Sequence, residues 1–189
     1  MKKIIYFSLL FLFASCTQKK YENPHILIVT NDGDIEAELF PSKAPKTVAA
    51  FLKYVDEGLY NPASFYRVLK NENLPPDYNM GIIQGGIHTT NPQKQLSLPG
   101  TAHEAPRHTG LSNTDGTLSL ARNSPGTGSS EFFICIGDQT QFDGGSNGEG
   151  YAAFGRVVSG MKAVRKIQNE KSNGDAFLNP ITIKKIKRL

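Results

Sequence analysis

The sequence contains no tryptophan and only two cysteines, Cys16 and Cys135, among 189 residues. A framework of several disulfides, which stabilises many small secreted domains, is therefore excluded. The formal net charge is only +4, so we expect no nucleic acid among the partners of this protein. The glycine-rich segment 143–150 lacks the lysine and the following helix of a phosphate-binding loop.

Histidine is also scarce, and its placement argues against a metal centre. Of the four histidines, His103 and His108 are separated by Pro106, which prevents the helix that would align two ligands. We therefore expect no metal and no other cofactor. Cys135 lies within an apolar run, and we interpret it as a small buried hydrophobic residue.

The first sixteen residues have the layout of a bacterial lipoprotein signal peptide. A basic start at Lys2 and Lys3 precedes an apolar run at 4–13, which ends in two small residues and Cys16. The run is too short to cross the hydrocarbon core of a bilayer, roughly 30 Å thick, as a helix. Two small residues before a cysteine resemble a lipobox, at which the signal is cleaved and Cys16 receives a lipid. Plain secretion with an unmodified Cys16 is the alternative.

Composition divides the chain into three parts. Residues 1–16 form the lipoprotein signal peptide, 17–24 a polar tether, and 25–189 a single domain. We expect a monomer, and the signal peptide predicts that it is held in the bacterial cell envelope by a lipid on Cys16. Because Thr17 rather than aspartate follows that cysteine, the periplasmic face of the outer membrane is the expected location.

Residues 25–189 show the periodicities of a mainly β domain. Residues 25–30 and 35–39 flank an Asp-Gly turn, which predicts a β-hairpin. Apolar residues three and four positions apart predict an amphipathic helix within 41–60, and a second helix begins near Gly160. The other predicted strands are 64–69, 80–86, 117–121, 132–136, 151–158 and 181–186. A count of about eight strands and two helices favours an antiparallel β-barrel or sandwich with helical caps.

The stretch 116–137 has the pattern of a strand, a polar loop and a second strand. Its loop, residues 123–130, consists only of Asn, Ser, Pro, Gly and Thr. So little side-chain bulk suits the wall of a shallow groove in which an extended peptide lies. An ordinary hairpin loop has the same composition, so this stretch alone leaves both interpretations open.

Five short blocks occur in order along the domain. They are 65–67 (FYR), 83–86 (IQGG), 116–122 (GTLSLAR), 130–134 (SEFFI) and 154–161 (FGRVVSGM). Together they resemble the ordered signature blocks of the cyclophilins, a family of peptidyl-prolyl cis-trans isomerases. The resemblance covers residues 25–189 and implies a closed eight-stranded antiparallel β-barrel capped by two α-helices.

The resemblance also implies a site on the outer face of the barrel, with Arg67 as the catalytic residue. Phe133 matches the aromatic floor of a proline pocket, and Gln84 matches the glutamine beside the arginine. The backbone of Ala121 and Arg122 is expected to pair with the substrate chain. The complete set of expected substrate-binding residues is Phe65, Ile82, Gln84, Ala121, Arg122, Asn123, Glu131, Phe133, Phe142 and Tyr151.

This resemblance implies an enzyme that rotates X-Pro peptide bonds in proline-containing polypeptides and so assists the folding of envelope or secreted proteins. Two residues depart from the family pattern. Gly81 stands where many cyclophilins have phenylalanine, and Glu131 replaces a usual glutamine, which places a possible negative charge near Arg67. The departures leave an alternative open, in which the domain binds proline-containing segments as a chaperone or scaffold with little or no turnover.

Overall fold

The computed structural model describes residues 21–71, 73–145 and 148–189. The expected signal peptide 1–16 with its Cys16 lies outside the described residues, as do residues 17–20 of the tether 17–24. No helix in the described part of the chain is long and apolar enough to span a bilayer.

The described residues form nine β-strands, which all belong to one sheet. They are β1 (His25–Thr30), β2 (Asp34–Leu39), β3 (Ala63–Leu69), β4 (Gly81–Gly86), β5 (Thr117–Leu120), β6 (Phe132–Ile136), β7 (Ala153–Ser159), β8 (Ser172–Asn173) and β9 (Ala176–Arg188). Each predicted strand is present. β9 is longer than predicted, and the two-residue β8 was not predicted because its segment is short and polar.

Eight of these strands close into an antiparallel barrel. Their order is β1-β2-β7-β5-β6-β4-β3-β9, and the additional pairing of β9 with β1 closes the sheet. β8 pairs only with the start of β9, as the other arm of a short hairpin. Closure removes the exposed edges of an open sheet, so a chain of this size satisfies its strand backbone internally. The closed barrel implied by the resemblance is confirmed.

Four α-helices accompany the barrel in the described residues. They are α1 (Pro45–Asp56), α2 (Pro92–Ser97), α3 (Pro106–Thr109) and α4 (Met161–Gln168). The two predicted helices are α1, which packs against β7 and β9, and α4, which packs against β2, β4 and β6. The short α2 and α3 lie between β4 and β5, where no helix or strand was predicted. Both begin with proline, which is tolerated there because the first helical N–H needs no partner.

A distant carboxylate caps the N-terminus of α1. The N-cap residue is Ala44, whose side chain makes no capping hydrogen bond. Instead, Glu104 accepts hydrogen bonds from the N–H groups of Lys46 and Thr47 at 3.1 and 2.8 Å. The negative charge also complements the positive end of the helix dipole. Glu104 therefore holds the 98–113 segment against α1.

Aromatic side chains fill the barrel interior. The ring of Phe51 lies 5.1 Å from that of Phe154, 5.2 Å from Tyr60 and 5.5 Å from Phe132, and all four are fully buried. The hydroxyl of Tyr60 donates to the carbonyl of Ser130 at 2.9 Å, so its one polar group is satisfied. This contact fixes the chain just before β6, the strand that supplies the floor of the groove described next.

Candidate functional site

One groove of about 460 Å³ runs across the outer face of the barrel wall formed by β3, β4, β5 and β6. All the expected site residues except Phe65 line it. The lining consists of Tyr66, Arg67, Leu69, Ile82, Gln84, His88, Gln95, Leu96, Ala121, Arg122, Asn123, Thr127, Ser129, Glu131, Phe133, Phe142 and Tyr151.

A β-bulge in β3 turns Arg67 to the outer face. Phe65 pairs with Gly85 and Arg67 pairs with the adjacent Gln84, so Tyr66 is an extra residue on this strand. The insertion breaks the usual alternation of faces. Phe65 points into the core and is fully buried, whereas Tyr66 and Arg67 both line the groove. This placement corrects the expectation that Phe65 borders the substrate.

Hydrogen bonds from two directions hold the guanidinium of Arg67. Its Nη1 donates to Oε1 of Gln84 at 3.1 Å, and its Nη2 donates to Oδ2 of Asp175 at 2.9 Å. Gln84 is held in turn, because its Nε2 donates to the hydroxyl of Tyr66 at 2.8 Å. That contact fixes the orientation of the amide, so its oxygen faces the arginine.

Apolar side chains form the pocket beside Arg67. Phe133 and Ile82 are 2% and 3% exposed, so they form a pocket floor that is shielded from water. The ring of Phe133 lies 5.7 Å from that of Phe142 and 5.3 Å from that of Tyr151, with edge-to-face geometry in both pairs. Beneath them lies Cys135, a free thiol without exposure whose pKa is raised by burial. Its predicted role as a small buried hydrophobic residue is confirmed.

Arg122 closes one side of the apolar pocket. Its guanidinium carbon lies 5.0 Å from the centre of the Tyr151 ring, an orientation that favours a cation–π contact. It also donates from Nη2 to the carbonyl of Gly150. Arg122 therefore orders the tyrosine and the end of the glycine-rich loop at the groove.

The chain that follows β5 offers a partly unpaired backbone edge. The N–H of Ala121 donates to the carbonyl of Glu131 at 2.8 Å and is not available to a ligand. Among the described residues, neither the carbonyl of Ala121 nor the N–H of Asn123 has a hydrogen-bond partner. The pairing with a substrate chain that was expected at Ala121 and Arg122 therefore excludes the N–H of Ala121, while the carbonyl of Ala121 and the N–H of Asn123 remain available.

Glu131 lines the groove but makes no ion pair with Arg67. Its Oε1 accepts hydrogen bonds from the N–H of Ile87 at 2.9 Å and the hydroxyl of Ser130 at 3.0 Å. Its Oε2 is buried, and the hydroxyl of Tyr66 is close enough to this carboxyl group to act on its pKa. Burial raises the pKa of Glu131, although hydrogen bonds oppose the rise. The expected charge beside Arg67 is instead that of Asp175.

Gly81 has a backbone reason to lack a side chain. Its φ is 145°, and a Cβ at this position would lie 2.0 Å from the carbonyl oxygen of Leu69. β4, which contains Gly81, and β3, which contains Leu69, approach too closely here for any residue with a side chain. Gly81 does not line the groove, so its departure from the family pattern leaves the pocket floor intact.

Sequence reasoning missed several residues around Arg67. Tyr66 lies inside one of the five blocks, but the bulge that turns it to the groove does not change the apolar pattern of the strand. His88, whose ring lies 5.3 Å from that of Tyr66, and the exposed Leu96 of α2 lie between β4 and β5, where no helix or strand was predicted. No pattern in the sequence indicated Asp175, because it is 108 residues away from Arg67 along the chain.

Metal binding has no support in the described part of the chain, where no group of three or more His, Cys, Asp or Glu side chains is arranged to hold an ion. In the groove, Arg67 is held by one neutral and one acidic acceptor beside a dry apolar pocket and a partly unpaired backbone edge. Such an arrangement can bind an extended peptide and place a hydrogen-bond donor next to an apolar residue.

The sequence matches, over residues 25–188, the family described as cyclophilin type peptidyl-prolyl cis-trans isomerase/CLD. It is 38% identical over 148 residues to a peptidyl-prolyl cis-trans isomerase of Acinetobacter baylyi, an alignment that covers 78% of this chain and 73% of that protein. It is 39% identical over 143 residues to peptidyl-prolyl cis-trans isomerase B of Escherichia coli, covering 74% and 80%.

The fold is also similar to that of a solved structure. A cyclophilin type peptidyl-prolyl cis-trans isomerase of Cryptosporidium parvum superposes with a TM-score of 0.69 at 26% identity, covering 88% of this chain and 97% of that chain. A second structure of that protein, determined in the presence of the dipeptide Ala-Pro, gives a TM-score of 0.67.

The buried carboxyl group of Glu131 leads to a prediction about stability. Because folding raises its pKa, the folded state holds the proton more tightly, and stability is lost as the pH rises through the folded pKa. Glu131→Gln is therefore expected to raise the free energy of unfolding at neutral pH by roughly 1–3 kcal/mol, because the variant no longer carries the desolvation penalty of a buried carboxylate. The gain is expected to shrink towards about pH 4, where an unfolded glutamate is protonated.

Urea denaturation of both proteins across this pH range measures the difference. Glu57→Gln, at an exposed side chain beyond α1, is the control and is expected to change little. A Glu131→Gln variant that is no more stable than the unmodified protein at neutral pH would contradict the prediction.

Proposed function

The chain belongs to the cyclophilin family of peptidyl-prolyl cis-trans isomerases, and from that premise we propose that Arg67 is the catalytic residue and the Ile82–Phe133 pocket is the proline site. The protein is an isomerase of X-Pro peptide bonds. One observation carries the residue assignment: Arg67, held by Gln84, stands beside a dry apolar pocket on the outer wall of the barrel. The Cryptosporidium parvum structure obtained in the presence of Ala-Pro supports a site for a residue followed by proline.

The chemistry requires no broken bond. Rotation about a peptide bond faces a barrier of roughly 18–20 kcal/mol because resonance gives the C–N bond partial double-bond character. In the twisted state that resonance is lost, and the prolyl nitrogen becomes pyramidal and accepts a hydrogen bond. A guanidinium remains charged at any working pH, so Arg67 donates to this nitrogen only when the bond is twisted.

The surroundings strengthen this donor. Ile82, Phe133 and Phe142 hold the proline ring and keep water away, so the hydrogen bond forms in a medium of low dielectric constant. Because Gln84 orients the arginine beforehand, little reorganisation is needed when the bond twists. The carbonyl of Ala121 and the N–H of Asn123 hold the residues next to proline in an extended conformation.

Replacement of Arg67 tests the assignment. Arg67→Ala is expected to lower kcat/KM by about 10²–10³-fold, the usual cost of removing one preorganised donor. Arg67→Lys keeps the charge but loses the planar fork, so we expect an intermediate loss. The measurement is the isomerisation rate of an X-Pro tetrapeptide catalysed by the purified protein.

Arg188→Ala is the matched control, because Arg188 is also half-exposed and paired with an aspartate, Asp56, but lies outside the groove. Its rate is expected to equal that of the unmodified protein. Equal background rates for the unmodified protein and Arg67→Ala would contradict catalysis by Arg67. They would favour the alternative in which the domain only binds proline-containing segments.

We further propose that the protein is a lipoprotein of the bacterial cell envelope, anchored through Cys16 and active on envelope or secreted proteins. The basic start, the apolar run at 4–13 and the small residues before Cys16 support this location. The described barrel begins at residue 25, a short tether away from the cysteine. Uncatalysed X-Pro isomerisation takes tens to hundreds of seconds, slow enough to limit the folding of newly exported chains.

The mass of the mature protein tests the anchor. Extraction from membranes of the native host is expected to yield a chain that starts at Cys16 and is heavier than the unmodified sequence by its acyl groups. The Cys16→Ser variant is expected either to keep its signal peptide or, without a lipid, to be absent from the detergent phase. A mature N-terminus at another residue, or an unmodified Cys16, would contradict the proposal.

A further inference from the structure

We propose that Asp175, in the turn between β8 and β9, is a positioning residue that fixes the guanidinium of Arg67 over the groove. This inference rests on the function proposed above, because Asp175 acts only through Arg67. Its Oδ2 accepts a hydrogen bond from Nη2 of Arg67 at 2.9 Å. Asp175 lies outside the five blocks that resemble the cyclophilins, so this contact is a feature read from the structure of this chain.

The geometry of the turn brings Asp175 to Arg67. β8 and β9 pair up to Asn173 and Ala176, which leaves Gly174 and Asp175 as a two-residue loop. Gly174 has a φ of 55°, the left-handed conformation that such tight hairpin loops require. The carbonyl of Asp175 accepts a hydrogen bond from the N–H of Val68 at 2.8 Å. The turn is therefore tied to β3 immediately after the bulge.

Two acceptors, one in a strand and one in a turn, hold different nitrogens of Arg67. Gln84 in β4 takes a hydrogen bond from Nη1 at 3.1 Å, and Asp175 takes one from Nη2 at 2.9 Å. One contact would let the guanidinium swing about it, whereas two contacts on separate nitrogens fix both its position and its plane. Because a guanidinium has five N–H groups, donors remain for a substrate.

The ion pair is poorly placed for a role in stability alone. The side chains of Arg67 and Asp175 are 40% and 60% exposed, and exposed pairs contribute little to folding. The turn is already held by its backbone hydrogen bond to Val68. Removal of the carboxylate is therefore expected to release Arg67 while β8 and β9 stay in place.

Kinetics of two Asp175 variants test the inference. Asp175→Ala is expected to lower kcat by about two- to fivefold with little change in KM, because an exposed charged contact is worth about that factor. A contact that matters only in the transition state lowers kcat and kcat/KM together. Asp175→Asn retains an acceptor oxygen but not the charge, so it is expected to restore only part of the lost kcat. An uncharged X-Pro tetrapeptide is the substrate, and melting temperatures are measured alongside.

The dependence of kcat on ionic strength distinguishes a positioning role of Asp175 from a merely structural one. Raising it to about 1 M shortens the Debye length to about 3 Å and weakens exposed ion pairs. The kcat of the unmodified protein is expected to fall towards that of Asp175→Asn, whose own kcat changes little. A salt response that is the same in both proteins overturns the inference.

Asp56→Asn is the matched control, because it removes the same charge from an exposed aspartate that pairs with Arg188 on β9. Its kcat is expected to be unchanged. An Asp175→Ala variant with unchanged kcat overturns the positioning role, and so does one with raised kcat, which would show that the ion pair restrains Arg67 from the substrate. If Arg67→Ala itself keeps the full rate, the function proposed for Arg67 fails instead.

Discussion

A single extra residue in β3 decides which face of the barrel carries Arg67. In a regular strand, Phe65 and Arg67 would share a face, and the arginine would point into an aromatic core where a charge cannot be solvated. The bulge at Tyr66 shifts the register by one, so Phe65 stays in the core and Arg67 reaches the groove. It also sets Arg67 directly opposite Gln84, and their hydrogen bond follows from that register.

The same barrel wall serves the core and the site. Along β6, Phe132 packs inside against Phe51, while the next residue, Phe133, forms the floor of the groove outside. Tyr60 anchors the chain before this strand through the carbonyl of Ser130. The position of the proline pocket thus depends on the packing of the aromatic interior, and a loosened core would displace the pocket floor.

The closed barrel, α1, α4 and most of the groove could be predicted from the sequence, because alternation, turn chemistry and the five blocks are local signals. The features that were missed arise from contacts between distant segments. Glu104 caps α1 from 57 residues away, and Asp175 reaches Arg67 from 108 residues away. The misplacement of Phe65 has another cause, since a bulge changes the face of a residue without changing the apolar pattern that predicts the strand.

The central claim is that Arg67, oriented by Gln84, faces a proline held against Phe133. A crystal structure of the protein with a bound X-Pro peptide tests it most directly. The account predicts that the proline ring contacts Phe133 and Ile82, and that Arg67 keeps its bond to Gln84 while an N–H lies within hydrogen-bond distance of the X-Pro amide. A peptide bound with its proline outside this pocket, or an Arg67 turned away from the amide, would contradict it.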